Sequence, residues 1–372
     1  MSSIPVRCPG GEYEVIVESG AIGSLGERVA GLCDGRRALL VLDGAVVDTH
    51  GAAAHDALAA AGLEVHACTI EADERRKTIA TVETIYQSAL GAGLDRHDVI
   101  VAVGGGLTGD VAGFAAASYL RGIDFVVVPT TLLAMVDASV GGKTGVNLPL
   151  PTAADAGPRL GKNLAGAFWQ PRLVLADPEV LCTLDQRQRR CGLAECVKHG
   201  LIAGPDLLDM IDSNLDAIAS AEPSSIGELV DQAVRIKVAV VQEDEREQGR
   251  RAVLNLGHTF AHAIEPIEAM DLLHGEAVSI GLVAAIELSR YLGRLEGGWA
   301  EGFVQRLDRI GLPTGLPVPL APAELMLRMG FDKKVRGGRH TLVIPHCPGR
   351  VEIVPDVPED ALVAAWAAVG AN

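Results

Sequence analysis

VIVAVGGGLTGD, residues 99–110, decides the fold. Its five apolar, mostly β-branched residues make a run of strand length, suited to burial on both faces. Three glycines then turn the chain into helix-forming sequence. A strand that ends in a glycine turn and opens a helix is the start of a βαβ unit. The same rhythm repeats outward. RALLVLD (37–43) reads as a buried strand ending in an acid, 52–61 as an Ala-rich helix and 63–70 as an alternating strand. Residues 78–92 carry Ile79, Val82, Ile85, Tyr86 and Leu90 at helical spacing, and FVVV (125–128) before PTT is a further strand. Strand, helix, strand in this order predicts a parallel sheet with helices on its faces, and ligands beyond the C-terminal strand ends. Past LVLADP (173–178) the pattern becomes helical over 194–202, 206–221, 225–243, 257–267, 275–292, 299–310 and 323–329. A hairpin-like pair, 339–345 and 350–354, interrupts it. We expect an α/β domain over 1–177 and a mainly helical domain over 178–372. A large cleft between the two is the default place for a site. LPLPTAADAGPR (148–159) reads as a Pro/Ala-rich loop.

Composition narrows the function. The chain has 372 residues, a formal charge of −16 and 3% aromatic residues. So acidic and aromatic-poor a chain is ill suited to gripping nucleic acid. No apolar run is long enough to span a membrane, and the first residues lack the pattern of a signal peptide. Seven scattered cysteines without a CxxC pair read as a reduced, cytoplasmic protein. Only seven of the 32 basic residues are lysines: Lys77, Lys143, Lys162, Lys198, Lys237, Lys333 and Lys334. Arg and Lys are not interchangeable where a compact ammonium or a shiftable pKa is needed. These seven are therefore candidates for specific work, with survival under a coding bias as the bland alternative.

Several motifs carry chemistry. GGGLTGD (104–110) lets backbone N–H groups approach a phosphate at a helix N-terminus, or is simply a tight turn. Asp43 could hold a ribose hydroxyl or cap a helix. DASVGGKTGVN (137–147) sets Lys143 in a second glycine-rich turn that suits an anion. It lacks the first glycine of a Walker loop, since Asp137 stands there. GKN (161–163) adds Lys162. AECVKHG (194–200) places Glu195, Lys198 and His199 on one helical face, as an ion pair or as something more. NLGHTFAHAIE (255–265) aligns His258, His262 and Glu265, and LLHG brings His274 before another helix. Two histidines four apart on a helix can grip a metal, and a Glu/His set with a spare position suits catalytic zinc. The alternative is core or capping histidines.

Together GGGLTGD, RGIDFVVVPTTLLAMVDASVGGKTGVN, GKNLAGAFWQP, GLAECVKHGLI, NLGHTFAHAIE, LLHGEAV and DKKV resemble, in order and context, the 3-dehydroquinate synthases of the sugar phosphate cyclase superfamily. The resemblance implies an N-terminal NAD-binding α/β domain and a helical metal- and substrate-binding domain, usually in a homodimer. It implies conversion of 3-deoxy-D-arabino-heptulosonate 7-phosphate to 3-dehydroquinate and phosphate, a shikimate-pathway step toward aromatic amino acids, with NAD and zinc or cobalt. Carried over by position, it makes Glu195, His258 and His274 the metal ligands. His262 is left as a proton-transfer or phosphate residue. Arg121, Lys143, Asn163 and one of Lys333 or Lys334 correspond to the phosphate set, with Arg121 a candidate to reach from a partner subunit. Lys237 and Arg251 correspond to the carboxylate pair, and Lys198, Asp137 and Asn255 to the pocket lining. Asp43, Glu74, Lys77, Gly105, Gly106, Asp110, Thr130, Thr131 and Lys162 correspond to the NAD set. Two features depart from the pattern. About nine residues are added between Asn147 and Gly161, and Ala261 replaces a usual glycine.

Three rivals remain. A sister cyclase acting on a neutral heptulose phosphate, such as a 2-epi-5-epi-valiolone synthase, would not need Lys237, Arg251 and Asn255 for a carboxylate. A metal- and NAD-dependent polyol dehydrogenase would lack the many phosphate-directed cations. A non-catalytic relative would not keep the whole ligand and cation set.

Overall fold

A computed structural model describes residues 1–150, 160–329 and 340–372. The chain forms two compact units, 1–184 with 221–245, and 185–220 with 246–372.

The first unit is built on a seven-stranded sheet. In chain order its elements are β1 (Ser2–Cys8), β2 (Gly11–Val17), α1 (Leu25–Leu32), β3 (Arg37–Asp43), α2 (Ala52–Ala60), β4 (Glu64–Ile70) and α3 (Ile79–Gly91). They continue with β5 (Val99–Gly104), α4 (Gly106–Ser118), β6 (Asp124–Pro129), β7 (Lys143–Pro149), β8 (Leu160–Phe168) and β9 (Leu173–Ala176). The spatial order is β1-β2-β9-β6-β5-β3-β4, while β7 and β8 form a separate two-stranded sheet. Every pairing in the large sheet is parallel except the β1–β2 hairpin at its edge. All six residues of β5 are buried, as expected for a strand covered on both faces. From β3 the chain runs to β4 on one side, and β5 then returns to the other side. The carboxyl ends of β3 and β5 therefore border the switch point of the sheet, where open α/β folds bind ligands.

The second unit holds α5 (Gln186–Ala203), α6 (Pro205–Ser213) and α7 (Leu215–Ala219). The 206–221 stretch, expected as one helix, breaks at Asn214, which is non-helical (φ −118°). The next helix, α8 (Pro223–Glu243), belongs to the first unit, not to the helical half as a boundary at 177 would have it. Its apolar side packs on β1 and on the short helices Ala134–Ala138 and Pro178–Thr183. The second unit continues with α9 (His258–Ile264), α10 (His274–Tyr291), α11 (Trp299–Ile310), α12 (Pro322–Met329), β10 (Leu342–Cys347), β11 (Arg350–Val354) and α13 (Glu359–Ala368). Trp366 is fully buried there, its ring 5.0 Å from that of Phe260. Among the described residues no helix is long and apolar enough to cross a membrane.

Candidate active site

In the first unit, Gly104 closes β5 and Gly105 caps α4 without a side-chain hydrogen bond, so the first amides of a 13-residue helix carry no side-chain cap. A Cβ on Gly104 would lie 2.8 Å from the Cβ of Asp43, so the ends of β3 and β5 meet with no space for a side chain. Asp43 accepts from the Ala45 amide (3.0 Å), which is the capping use that the sequence left open. Thr130 donates its amide to the Gly104 carbonyl (2.8 Å), and Thr131 Oγ1 accepts from Ala134 N (3.1 Å).

Beside this turn runs a chain of polar contacts. Lys77, a 5% exposed residue, donates from Nζ to Asp110 Oδ2 (2.5 Å) and Asn163 Oδ1 (2.6 Å). Asn163 donates its amide to Asn147 Oδ1 (2.8 Å), and Asn147 Nδ2 donates to Glu74 Oε1 (2.7 Å). Burial pushes the Asp110 carboxyl up against the opposing pull of Lys77. Glu74, Lys77 and Asp110, expected in the NAD set, and Asn163, expected in the phosphate set, thus form one hydrogen-bonded network. Asn147 joins them, and sequence reading gave it no role. Its one signal was its place at the end of the 137–147 motif. A recess lined by Gly106, Asp110, Ala138, Lys143 and Trp169 opens beside the α4 N-terminus. Lys143 is exposed at the start of β7, and Lys162 is half-buried on β8. Lys237, on α8, is buried and donates to the Asp137 carboxylate (2.5 Å) and carbonyl. Arg121 is exposed in a turn of positive φ.

In the second unit three helices bring titratable groups together. Glu195, Lys198 and His199 are fully buried on α5, and Lys198 Nζ pairs with Glu195. His258 Nε2 and His274 Nε2 lie 3.5 and 3.4 Å from Glu195 Oε1. The far nitrogens are oriented as well. His258 Nδ1 is 3.2 Å from the Leu256 carbonyl, and His274 Nδ1 is 3.4 Å from Glu265 Oε1. The geometry depends on close helix packing: a Cβ on Gly275 would collide with the Cys191 backbone, and one on Gly257 would meet Leu282 N at 3.0 Å. Burial, followed by the charge of Lys198, holds His258 well below its ordinary pKa. For His274 burial works the same way, but bonds to Glu195 and Glu265 outweigh it and raise the group to about 10.

Glu195, His258 and His274 each offer a ligand atom, all within 4.8 Å of one another. The donor set, with its outer nitrogens fixed, fits a three-ligand divalent site with a position left for substrate. His262 is exposed and meets His258 edge-on at 5.7 Å between ring centroids, outside that group. Arg251 is buried, and Asn255 Nδ2 donates to Glu247 Oε1 (2.6 Å). Lys333 and Lys334 lie outside the described residues, as does most of the 148–159 segment.

Comparison with known proteins gives the family. Residues 67–191 match the 3-dehydroquinate synthase N-terminal family model, and residues 192–335 match the C-terminal one. A 3-dehydroquinate synthase of Symbiobacterium thermophilum is 43% identical over 94% of this chain and 96% of its own. That of Synechocystis is 39% identical over 98% and 99%. Among solved structures, a 2-deoxy-scyllo-inosose synthase complexed with carbaglucose-6-phosphate, NAD+ and Co2+ superposes with a TM-score of 0.86 at 26% identity, over 98% of both chains. A 2-epi-5-epi-valiolone synthase from Streptomyces hygroscopicus with NAD+ and Zn2+ bound gives 0.85 at 28%, also over 98% of both. A probable glycerol dehydrogenase from Sinorhizobium meliloti, at 17% identity and TM-score 0.65 over 99% of both chains, shares the fold alone. The chain belongs to the 3-dehydroquinate synthase family.

Proposed function

We propose that Glu195, His258 and His274 hold a divalent metal, zinc or cobalt, and that the β3/β5 switch point holds NAD, in an enzyme that converts 3-deoxy-D-arabino-heptulosonate 7-phosphate to 3-dehydroquinate and phosphate. What supports the metal reading most is the convergence of two imidazole Nε2 atoms on one carboxylate oxygen, each ring fixed at its other nitrogen. When bound, the metal would acidify a substrate hydroxyl, and the nicotinamide would accept and return a hydride.

The remaining roles belong to side chains of this chain. The amides at Gly105 and Gly106, the hydroxyls of Thr130 and Thr131 and the carboxylate oxygen of Asp43 that does not cap Ala45 would hold NAD. Glu74, Lys77, Asp110 and Lys162 complete the cofactor set. Lys143, Asn163 and Arg121, with Lys333 or Lys334, bind the substrate phosphate. As the C–O bond breaks, its electron pair leaves on phosphate, and a cation at Lys143 stabilises that charge. Lys237 and Arg251 bind the substrate carboxylate, where the planar guanidinium can bind both oxygens. Lys198, Asp137 and Asn255 orient substrate hydroxyls, and His262 moves a proton at its imidazole nitrogen. The enzyme acts in the cytoplasm as a homodimer.

The test is a substrate comparison. The metal-loaded protein with NAD+ and the heptulosonate phosphate should release phosphate and form 3-dehydroquinate in equal amounts. Turnover of sedoheptulose 7-phosphate without turnover of the acid would overturn the reading.

A further inference from the structure

The turn that presents Lys143 is gripped from several sides within the first unit. Tyr13, buried on β2, accepts the Gly141 amide through its hydroxyl oxygen (3.0 Å). Trp169 donates its amide to the Gly142 carbonyl (2.8 Å). The Gln170 carboxamide lies against Gly142, where a Cβ would sit 2.7 Å from its Cδ. Gly142 also has φ +65°, so glycine is required there for space and for backbone. Gln170 is itself anchored. Its Nε2 donates to Glu245 Oε1 (2.7 Å), and the other oxygen of Glu245 accepts the Gly10 amide (3.1 Å). Glu245 is 7% exposed and lies two residues beyond α8. The same helix carries Lys237, which pairs with Asp137 at the other end of the segment. The 137–143 stretch is therefore held at one end by Lys237 and at the other, through Gln170, by Glu245.

The residue beside Gln170 does similar work on a second cation. Trp169 Nε1 donates to the Ile123 carbonyl (3.1 Å), and its ring fills the space over Gly122. Leu120 and Arg121 are non-glycine residues at φ 50° and 70°, a conformation that persists only where the surroundings enforce it. One dipeptide thus braces the turns that display Arg121 and Lys143.

We propose that Gln170, anchored by Glu245, is a positioning residue for the substrate phosphate: it fixes where Lys143 stands and does not itself touch substrate. This rests on the reading of Lys143 as a phosphate-binding cation. Misplacing such a group by a fraction of an ångström costs binding and rate together.

The experiment uses the full chain with metal and NAD+ and reads KM for the heptulosonate phosphate, kcat and competitive inhibition by inorganic phosphate. Q170E sets a carboxylate against Glu245 and should raise KM, and weaken phosphate inhibition, about tenfold. The double exchange Q170E/E245Q restores the bond with donor and acceptor exchanged, residue 245 now carrying the amide. Its amide can donate to position 170 and still accept from Gly10, so KM should return to within about twofold of the parent. In the K143A background Q170E should add less than about twofold. Q170L, which keeps volume without the bond, serves if Q170E does not fold. A normal KM in both Q170E and Q170L overturns the proposal. So does a cost of the same size with Lys143 absent, or a failed rescue in the double exchange. If K143A leaves KM unchanged, it is the phosphate reading of Lys143 that fails, and this proposal falls with it.

Discussion

Glu195 faces two imidazoles and an ammonium from a fully buried position. A buried carboxylate is costly unless its charge is matched, so the cluster should respond sharply to losing one member. Mutating His274 to Ala should remove stoichiometric metal, read by elemental analysis, and lower kcat/KM by at least about a thousandfold, more than 4 kcal/mol in transition-state terms. Retained metal would move the ligand assignment. The same reasoning at Lys237 gives a different signature. K237M removes a buried cation that pairs with Asp137 and would face the substrate carboxylate, so KM should rise at least about tenfold, with a smaller change in kcat. An unchanged KM would take Lys237 out of the site. Sequence reading located these residues only in part. Helical spacing aligned His258, His262 and Glu265 on one face. Spacing within one helix cannot show that His274 arrives from the next helix, or that Glu265 turns to its Nδ1. Tyr13 and Glu245 gave no signal either, and Gln170 stood in the GKNLAGAFWQP motif without a role, because each acts through a contact distant in sequence.

At the scale of the elements, legibility followed burial. β3, β5 and β6 are apolar runs and stood out within a residue of their observed limits. β7 and β8 did not, because Gly145 and Gly166 face each other across their register and no alternating side chains announce the pairing. β1 alternates cleanly, with Ile4, Val6 and Cys8 inward, and β2 alternates up to Val15 before Ile16 and Val17 are buried too, yet Pro5 and the Pro9–Gly11 turn masked the pattern. α8 was legible as a helix, but its place on the first unit was not, since periodicity marks an apolar face without naming what covers it. That place is reinforced at Asp231. Burial alone would raise its carboxyl, but bonds from Arg235 and Ser2 outweigh this and hold it below its ordinary value of 3.8. A depressed carboxylate contributes stability that is fully present above its unfolded pKa and lost as pH falls through the folded one. D231N should therefore cost about 1 kcal/mol at pH 7, or roughly 2–4 °C in the melting of a unit this size. The difference from the parent should shrink as pH drops below about 4. An equal deficit at pH 7 and pH 3 would mean that Asp231 acts by packing and not by charge.

For the whole molecule, the proposed metal and NAD sites lie on different compact units, and a ligand stabilises the part of a protein that binds it. The three proposed metal ligands all lie on the second unit, and the glycine turn with its Asp43, Lys77 and Asp110 neighbours lies on the first. Amide exchange reports opening locally, so it can separate the two responses. Zinc or cobalt added at about a hundred times its dissociation constant should add about 2.7 kcal/mol to the openings that break the metal site. Exchange there should slow about a hundredfold, in peptides from α5, α9 and the start of α10. NAD+ alone should slow exchange at the end of β3, across 104–110 and around Lys77, leaving α9 unaffected. The charge distribution sharpens the expectation. A chain of net charge −16 repels anions at long range, so NAD+ protection at the first unit depends on short-range amides and lysines that remain effective within a Debye length of about 8 Å at physiological salt. Raising salt from 0.15 to 0.5 M should therefore change the NAD+ effect little. If zinc alone protects the β5–α4 turn as strongly as α9, the metal ligands are not the Glu195, His258 and His274 set.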